Sequence, residues 1–178
     1  MDITTVILEE HAEQRRLFAM LQEIGDSDLT ALQAVWQRLR DLLEAHAEAE
    51  ERVFYPELLK SGKGAADADS AEDETEDAIE DHNDIRDAAA AVAAEDLGNA
   101  AWFDALAELD EANGDHMAEE ERQGLADMRV NFSLQQRHDL AIAFMSFMNR
   151  HRDGVTPVDK DPEAYVAEGG DVTKSAKD

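Results

Sequence analysis

The chain has 178 residues, 16 Lys+Arg against 43 Asp+Glu, a formal charge of −27 and no cysteine. Such a charge repels nucleic acid and anionic membrane surfaces, so neither is expected as a partner. The missing cysteines exclude disulfides, thiolate zinc sites, iron–sulfur ligation and cysteine nucleophiles.

No apolar run approaches the roughly 20 residues that span a bilayer. Met1-Asp2-Ile3-Thr4-Thr5 lacks the positive charge of a leader. A single soluble, cytoplasmic domain is expected. Strong helix formers dominate residues 6–150, and no stretch sustains the alternation of a strand. The fold class is all-α.

A first helix runs from an Asp2 cap to Ile24, where Gly25 stops it. The second starts after Ser27 or Asp28 and continues to about Lys60. Its stripe of Leu32, Trp36, Leu39, Leu43, His46, Glu50 and Val53 keeps to one face, and Pro56 should kink its last turn. Residues 61–73 read as a loop. A third helix follows to about Asp96, Gly98-Asn99 breaks it, and a fourth runs to about Arg129. The stretch 64–85 is acidic with no Lys or Arg, which reads as a solvated loop and helix start. A fifth helix opens on a Ser133/Gln136 capping box and ends near Gly154. Its Leu140, Ile142, Phe144, Met145, Phe147 and Met148 read as a docking face for the rest. Residues 155–178 are rich in Pro, Gly, Asp and Lys and are expected to be a disordered tail.

His11, His46, His82 and His116 fall one to a helix, spaced 35, 36 and 34 residues apart. Their surroundings match in pairs. Glu9-Glu10-His11-Ala12-Glu13-Gln14-Arg15 resembles Glu80-Asp81-His82-Asn83-Asp84-Ile85-Arg86, and His46 to Arg52 resembles His116 to Arg122. Two like helical hairpins, 2–60 and 70–130, therefore make an up-down four-helix bundle with pseudo-twofold symmetry. With the fifth helix at 133–154, the domain covers 1–154. At about 1.5 Å of rise per residue, His11 lies about 20 Å below the top of its helix and His46 about 27 Å below the start of the next. The second hairpin repeats this, so all four imidazoles can converge. His138 and His151 lack partners at ligand spacing and read as surface residues.

His46/Glu50 and His116/Glu120 are i, i+4 pairs on one helix face. They interrupt apolar stripes, where inward imidazoles and carboxylates are strongly unfavourable unless paired or metal-bound. Glu51 and Glu121 compete as ligands, each about 100° further round the helix; the +4 residues are favoured. Four imidazoles and two bridging carboxylates suit two mid-row divalent ions, with iron, manganese and zinc all allowed by such donors. Tyr55 would point about 140° from Glu50 on a regular helix. A π-bulge or a distortion before Pro56 would turn it inward as an additional metal ligand.

The order His…His-xxx-Glu, twice over, resembles the hemerythrin-like family, the HHE cation-binding domain, across residues 1 to about 150. The resemblance implies a non-haem di-iron centre with an oxo or hydroxo bridge. His11, His46 and Glu50 match its first half-site, and His82, His116 and Glu120 its second. It further implies peroxide, dioxygen or nitric oxide as partners and a role in oxidative or nitrosative stress. Four histidines and two carboxylates leave each ion an exchangeable position, where catalase-like decomposition of peroxide is one expected chemistry. An oxygen or nitric oxide sensor without turnover and a metal-free helical interaction module are the alternatives. The oxygen carriers of the family add a histidine and an aspartate where this chain has Arg86 and Glu121, which argues against reversible oxygen transport. The absence of cysteine argues against the members that repair iron–sulfur clusters.

Overall fold

A computed structural model describes residues 1–66 and 68–177. Asp67, within the expected loop at 61–73, and Asp178, the last residue of the expected tail, lie outside them. The elements are α1 (Ile3–Ile24), α2 (Leu29–Ala49), a π-helical turn (Glu50–Phe54) and α3 (Tyr55–Ser61). They continue with α4 (Ala71–Ala94), α5 (Ala100–Arg122), α6 (Gly124–Asn131), α7 (Leu134–Arg150), α8 (Pro162–Ala167) and α9 (Val172–Ser175). Among the described residues there is no strand, and no helix is long and apolar enough to cross a membrane. The all-α expectation holds.

Side-chain caps satisfy the first backbone N–H groups of the long helices. Asp2 accepts from Thr4 N, Asp28 from Thr30 N and Ala31 N, Ser70 from Asp73 N and Asn99 from Trp102 N. The Ser133/Gln136 capping box is formed on both sides. Gly25 ends α1 at a φ of 57°, a backbone conformation that costs other residues a Cβ clash.

Two apolar cores form inside the bundle. One joins Leu17, Phe18, Leu32, Trp36, Val92 and Trp102, with the two tryptophans edge to face at 5.8 Å. The other joins Ile3, Ile7, Phe54, Ile79, Leu125 and Phe144. The four bundle histidines are buried outside both apolar clusters, three of them on α1, α2 and α4, which carry residues of each, and the fourth on α5, whose Trp102, Leu106 and Leu109 belong to the first.

The second long helix departs from expectation. It does not run unbroken to Lys60 with a kink at Pro56; it changes to a π turn at Glu50, and Pro56 sits in the first turn of α3. Tyr55 N–H donates to Glu50 O, five residues back. Pro56 has no N–H and its ring excludes the carbonyl four residues before it, so the wider turn accommodates the chain there. The inward stripe shifts accordingly: Phe54 and Tyr55 are buried, whereas Val53 is half-buried.

The fourth helix also breaks early. Gln123 leaves the helical region (φ −103°, ψ −84°) and α6 starts at Gly124, where a Cβ would approach Phe54 Cε1 to 3.3 Å. On α7, Ala141 and Phe144 are buried and Leu140, Met145, Phe147 and Met148 pack on the cores, but Ile142 is 48 % exposed. Helix α7 ends at Arg150, short of Gly154.

The largest correction is the tail. Residues 155–177 are packed against the bundle, with α8 and α9 capped by Asp161 and Asp171 and an isolated bridge between Lys160 and Ala176. Tyr165 and Lys160 are fully buried and supply the anchorage that the polar composition conceals.

The α3–α4 connection is pinned by two carboxylates. Asp127 accepts from Lys63 N and Gly64 N, and Glu74 accepts from Ala65 N at 2.7 Å. Burial raises the Glu74 pKa to about 7, the charge of Asp127 adding to it and the Ala65 bond opposing it. A carboxyl pKa raised by folding means that the native state holds the proton more tightly. Its stabilising effect is complete below the ordinary value of 4.5 and is lost as pH rises through about 7. The urea midpoint should therefore fall over that window by less in Glu74→Gln, which keeps an acceptor for Ala65, than in the parent.

Candidate metal centre

Each long helix delivers one histidine to a common level: His11 from α1, His46 from α2, His82 from α4 and His116 from α5, all at most 4 % exposed. They meet in two pairs. The His11 and His46 ring centroids are 5.1 Å apart, and His82 Nε2 is 3.1 Å from His116 Nε2. Phe144 of α7 closes over His46 edge to face at 5.7 Å.

Glu50, fully buried at the start of the π turn, reaches both pairs. Its Oε1 is 2.8 Å from His46 Nε2 and its Oε2 is 3.3 Å from His82 Nε2. Two groups of possible ligands follow, His11/His46/Glu50 and Glu50/His82/His116, with ligand atoms in each group within 4.8 Å of one another. Glu120 lies opposite, with Oε2 3.3 Å from His11 Nε2 and Oε1 accepting from the Tyr55 hydroxyl at 3.0 Å. Thus the six expected residues do come together. Glu50 belongs to both groups, the position expected of a bridging carboxylate.

The competing glutamates take another task. Glu51 Oε1 is 3.0 Å from His82 Nδ1 and accepts from Arg86 Nη2 at 2.9 Å. Glu121 Oε1 is 3.0 Å from His11 Nδ1 and accepts from Arg15 Nη2 at 2.8 Å. Asp81 Oδ2 stands 3.2 Å from His116 Nδ1. A proton on Nδ1 directed at a carboxylate leaves the Nε2 lone pair free toward the centre and fixes the ring's orientation. Arg86, standing where the oxygen carriers have a histidine, is turned to Glu44 and Glu51. These orienting pairs were within reach of the sequence, since His11/Arg15 and His82/Arg86 repeat in register with Glu121 and Glu51. Their role depends on a cross-helix approach that spacing alone does not contain.

The π turn answers the question of Tyr55. It carries the ring inward, where the side chain is buried against Glu120 and its ring stands 5.8 Å from His82. Burial, followed by the charges of Glu120 and Glu50, raises its pKa, so the phenol holds its proton. His138 and His151 are outside the cluster; His138 lies near Met1 O and His151 against the Phe147 ring.

Electrostatically the cluster is incomplete. Burial, and then His11, lowers the His46 pKa to about 3, leaving it a neutral donor. Burial and the charge of Glu120 push Glu50 up; burial acts on Glu120 in the same sense, but the proximity of His11, with His116 and His46 beyond it, together outweighs burial and holds Glu120 down. His11 Nε2, both nitrogens of His46, both oxygens of Glu50 and Glu120 Oε2 are buried without a hydrogen-bond partner. Several of these atoms are within 3.3 Å of one another yet out of hydrogen-bonding geometry. Nitrogen and carboxylate atoms converging in this way fit divalent cations, which supply the missing partner for all of them at once.

Fold and centre together define a helical bundle that gathers histidine and carboxylate ligands for a cation. The family model for the hemerythrin HHE cation-binding domain matches residues 2–126, and the chain belongs to that family. Neither the curated proteins nor the solved structures searched contained a significant match.

Proposed function

We propose that the chain holds two iron ions and uses them to react with small oxidants, hydrogen peroxide first among them, as a defence against oxidative or nitrosative stress. His11 and His46 would hold one ion and His82 and His116 the other, with Glu50 and Glu120 shared between them. The observation that carries the reading is the set of partnerless buried ligand atoms facing one point between two dry cores. Paired iron ions supply redox equivalents and exchangeable coordination positions.

The chain's own residues account for the rest. Glu121, Glu51 and Asp81 hold three of the imidazoles with Nε2 inward. Tyr55 keeps a proton on its hydroxyl beside Glu120 Oε1, close enough to steady that carboxylate or to become a ligand in its own right. A water-sized cavity of about 10 Å³ borders Tyr55, His116 and Glu120. A larger groove of about 500 Å³ between α2, α4 and residues 153–157 reaches His82 past Glu44, Ala47, Arg86 and Ala89. The cavity admits nothing larger than a water-sized molecule, and the groove gives a small neutral oxidant a route toward His82. Disproportionation of two peroxides to two waters and one dioxygen needs no outside reductant.

Iron-loaded protein should contain two ions per chain and evolve dioxygen from peroxide, whereas metal-free protein should not. A loaded protein that forms a stable adduct with dioxygen or nitric oxide and leaves peroxide untouched would establish binding without turnover. If purified protein takes up no metal, the metal-free interaction module is the correct reading. In the same preparation, a visible charge-transfer band lost in Tyr55→Phe identifies the phenol as a ligand; an unchanged spectrum confines it to hydrogen bonding with Glu120.

A further inference from the structure

The carboxyl-terminal segment lies wholly outside the residues matched by the family model, yet it reaches the metal centre. Lys160 is 1 % exposed, and its Nζ stands 2.6 Å from Glu48 Oε2 and 2.5 Å from Glu51 Oε2. Asn83, the neighbour of His82, brackets the Lys160 backbone, donating to its carbonyl at 2.8 Å and accepting from its N–H at 3.1 Å. The Tyr165 hydroxyl donates to the carbonyl of Glu51 at 2.5 Å, within the π turn. Gly170 (φ 84°) lies so close to Pro56 that a Cβ would meet its ring at 2.7 Å. The segment therefore grips the π turn and α4 on both sides of Glu51, the carboxylate that orients His82.

The matching contact in the other half of the pseudo-twofold is different. Glu121, which orients His11, has a side chain 29 % exposed and pairs with Arg15, itself 46 % exposed. Exposed ion pairs are weak and yield easily to water. Glu51 is fully buried between Arg86 and Lys160, and displacing it would strand charges without solvent. A metal ion leaves when its imidazole swings away, which for His82 requires Glu51 to give way and for His11 requires only Glu121 to do so.

From this asymmetry we infer that residues 159–177 form a clamp that makes the His82/His116 half-site the slowly exchanging one, with Lys160 as its positioning residue. The inference rests on the two-ion reading above. Its test uses full-length protein loaded with zinc, a redox-silent probe, and released into excess chromogenic chelator. Wild-type protein should take up two zinc ions and release them in two phases. Lys160→Met should speed the slow phase by about 10-fold, the lower end of what losing the direct partner of a ligand costs, because Lys160 acts through Glu51, and it should leave the fast phase unchanged. Lys160→Arg should restore most of the slow phase. Arg15→Met should speed the fast phase alone.

Acceleration of both phases in Lys160→Met would indicate general loosening and overturn the clamp, as would no change in either. Should Lys160→Met fail to fold, Tyr165→Phe removes the contact to the Glu51 carbonyl without altering charge, and it should speed the same slow phase. Wild-type uptake of fewer than two ions would overturn the two-ion reading and the clamp with it. Uptake of two ions with a slow phase indifferent to both substitutions would overturn the clamp alone.

Discussion

Glu50→Ala should empty both metal positions, whereas His46→Ala and His116→Ala should each empty one. Glu50 is within 2.8 Å of His46 Nε2 and 3.3 Å of His82 Nε2, so it belongs to both ligand groups. Its removal takes a carboxylate from each group and leaves Glu120 as the one buried carboxylate among the four imidazoles, too sparse a donor set to hold a divalent ion against water at either position. A single histidine deletion leaves the opposite pair and both carboxylates intact. Metal analysis after desalting would then read near two ions for wild-type protein, one for the histidine variants and none for Glu50→Ala. His138→Ala and His151→Ala, outside the cluster, should match wild type. One ion retained by Glu50→Ala would assign Glu50 to a single half-site.

Much of this arrangement was open to the sequence because duplication made it visible. Four histidines at near-equal spacing, with matching flanks, are enough to predict two hairpins and the depth at which their imidazoles meet. Choosing Glu50 over Glu51 followed from helical phase, and the structure gives the neighbouring glutamates a different, orienting contact. Helical phase held up to residue 50 and then failed. The π turn advances the chain by one residue and exchanges Val53 for Phe54 and Tyr55 in the interior. Pro56 is the only local signal of it, and a proline announces a disturbance without specifying whether the helix bends or widens.

The order of residues 155–177 is hidden from the sequence for a related reason. Their composition is polar, and disorder is the ordinary outcome when a segment has little apolar surface to bury. Here the burial is done by Tyr165 and by a lysine whose charge is met by Glu48 and Glu51. A buried lysine can be recognised only together with its counter-charges, and those lie 112 and 109 positions away. They sit on one turn of a helix already assigned to the metal ligands. Long-range ion pairing leaves no periodicity to find.

Removing metal should lower stability and reverse the sign of one substitution. A ligand bound by the native state alone adds about 4 kcal/mol when its free concentration is a thousand times its Kd. At about 2–4 °C per kcal/mol for a chain of this size, chelation should lower the melting temperature by roughly 10 °C for each ion bound at that excess. The metal-free protein then keeps Glu50 and Glu120 buried in one cluster, with Glu50 pushed toward its protonated form by burial and by the charge of Glu120. Glu50→Gln removes that repulsion at almost constant volume. In the presence of chelator the variant should therefore melt above the metal-free parent; in the presence of iron it should melt below the loaded parent, because it has lost a shared ligand. Carboxylates that served only as structural partners of the histidines would give the same sign under both conditions, since the contacts to His46 and His82 would be lost in each. Two melting curves for each protein, with and without metal, decide between these outcomes.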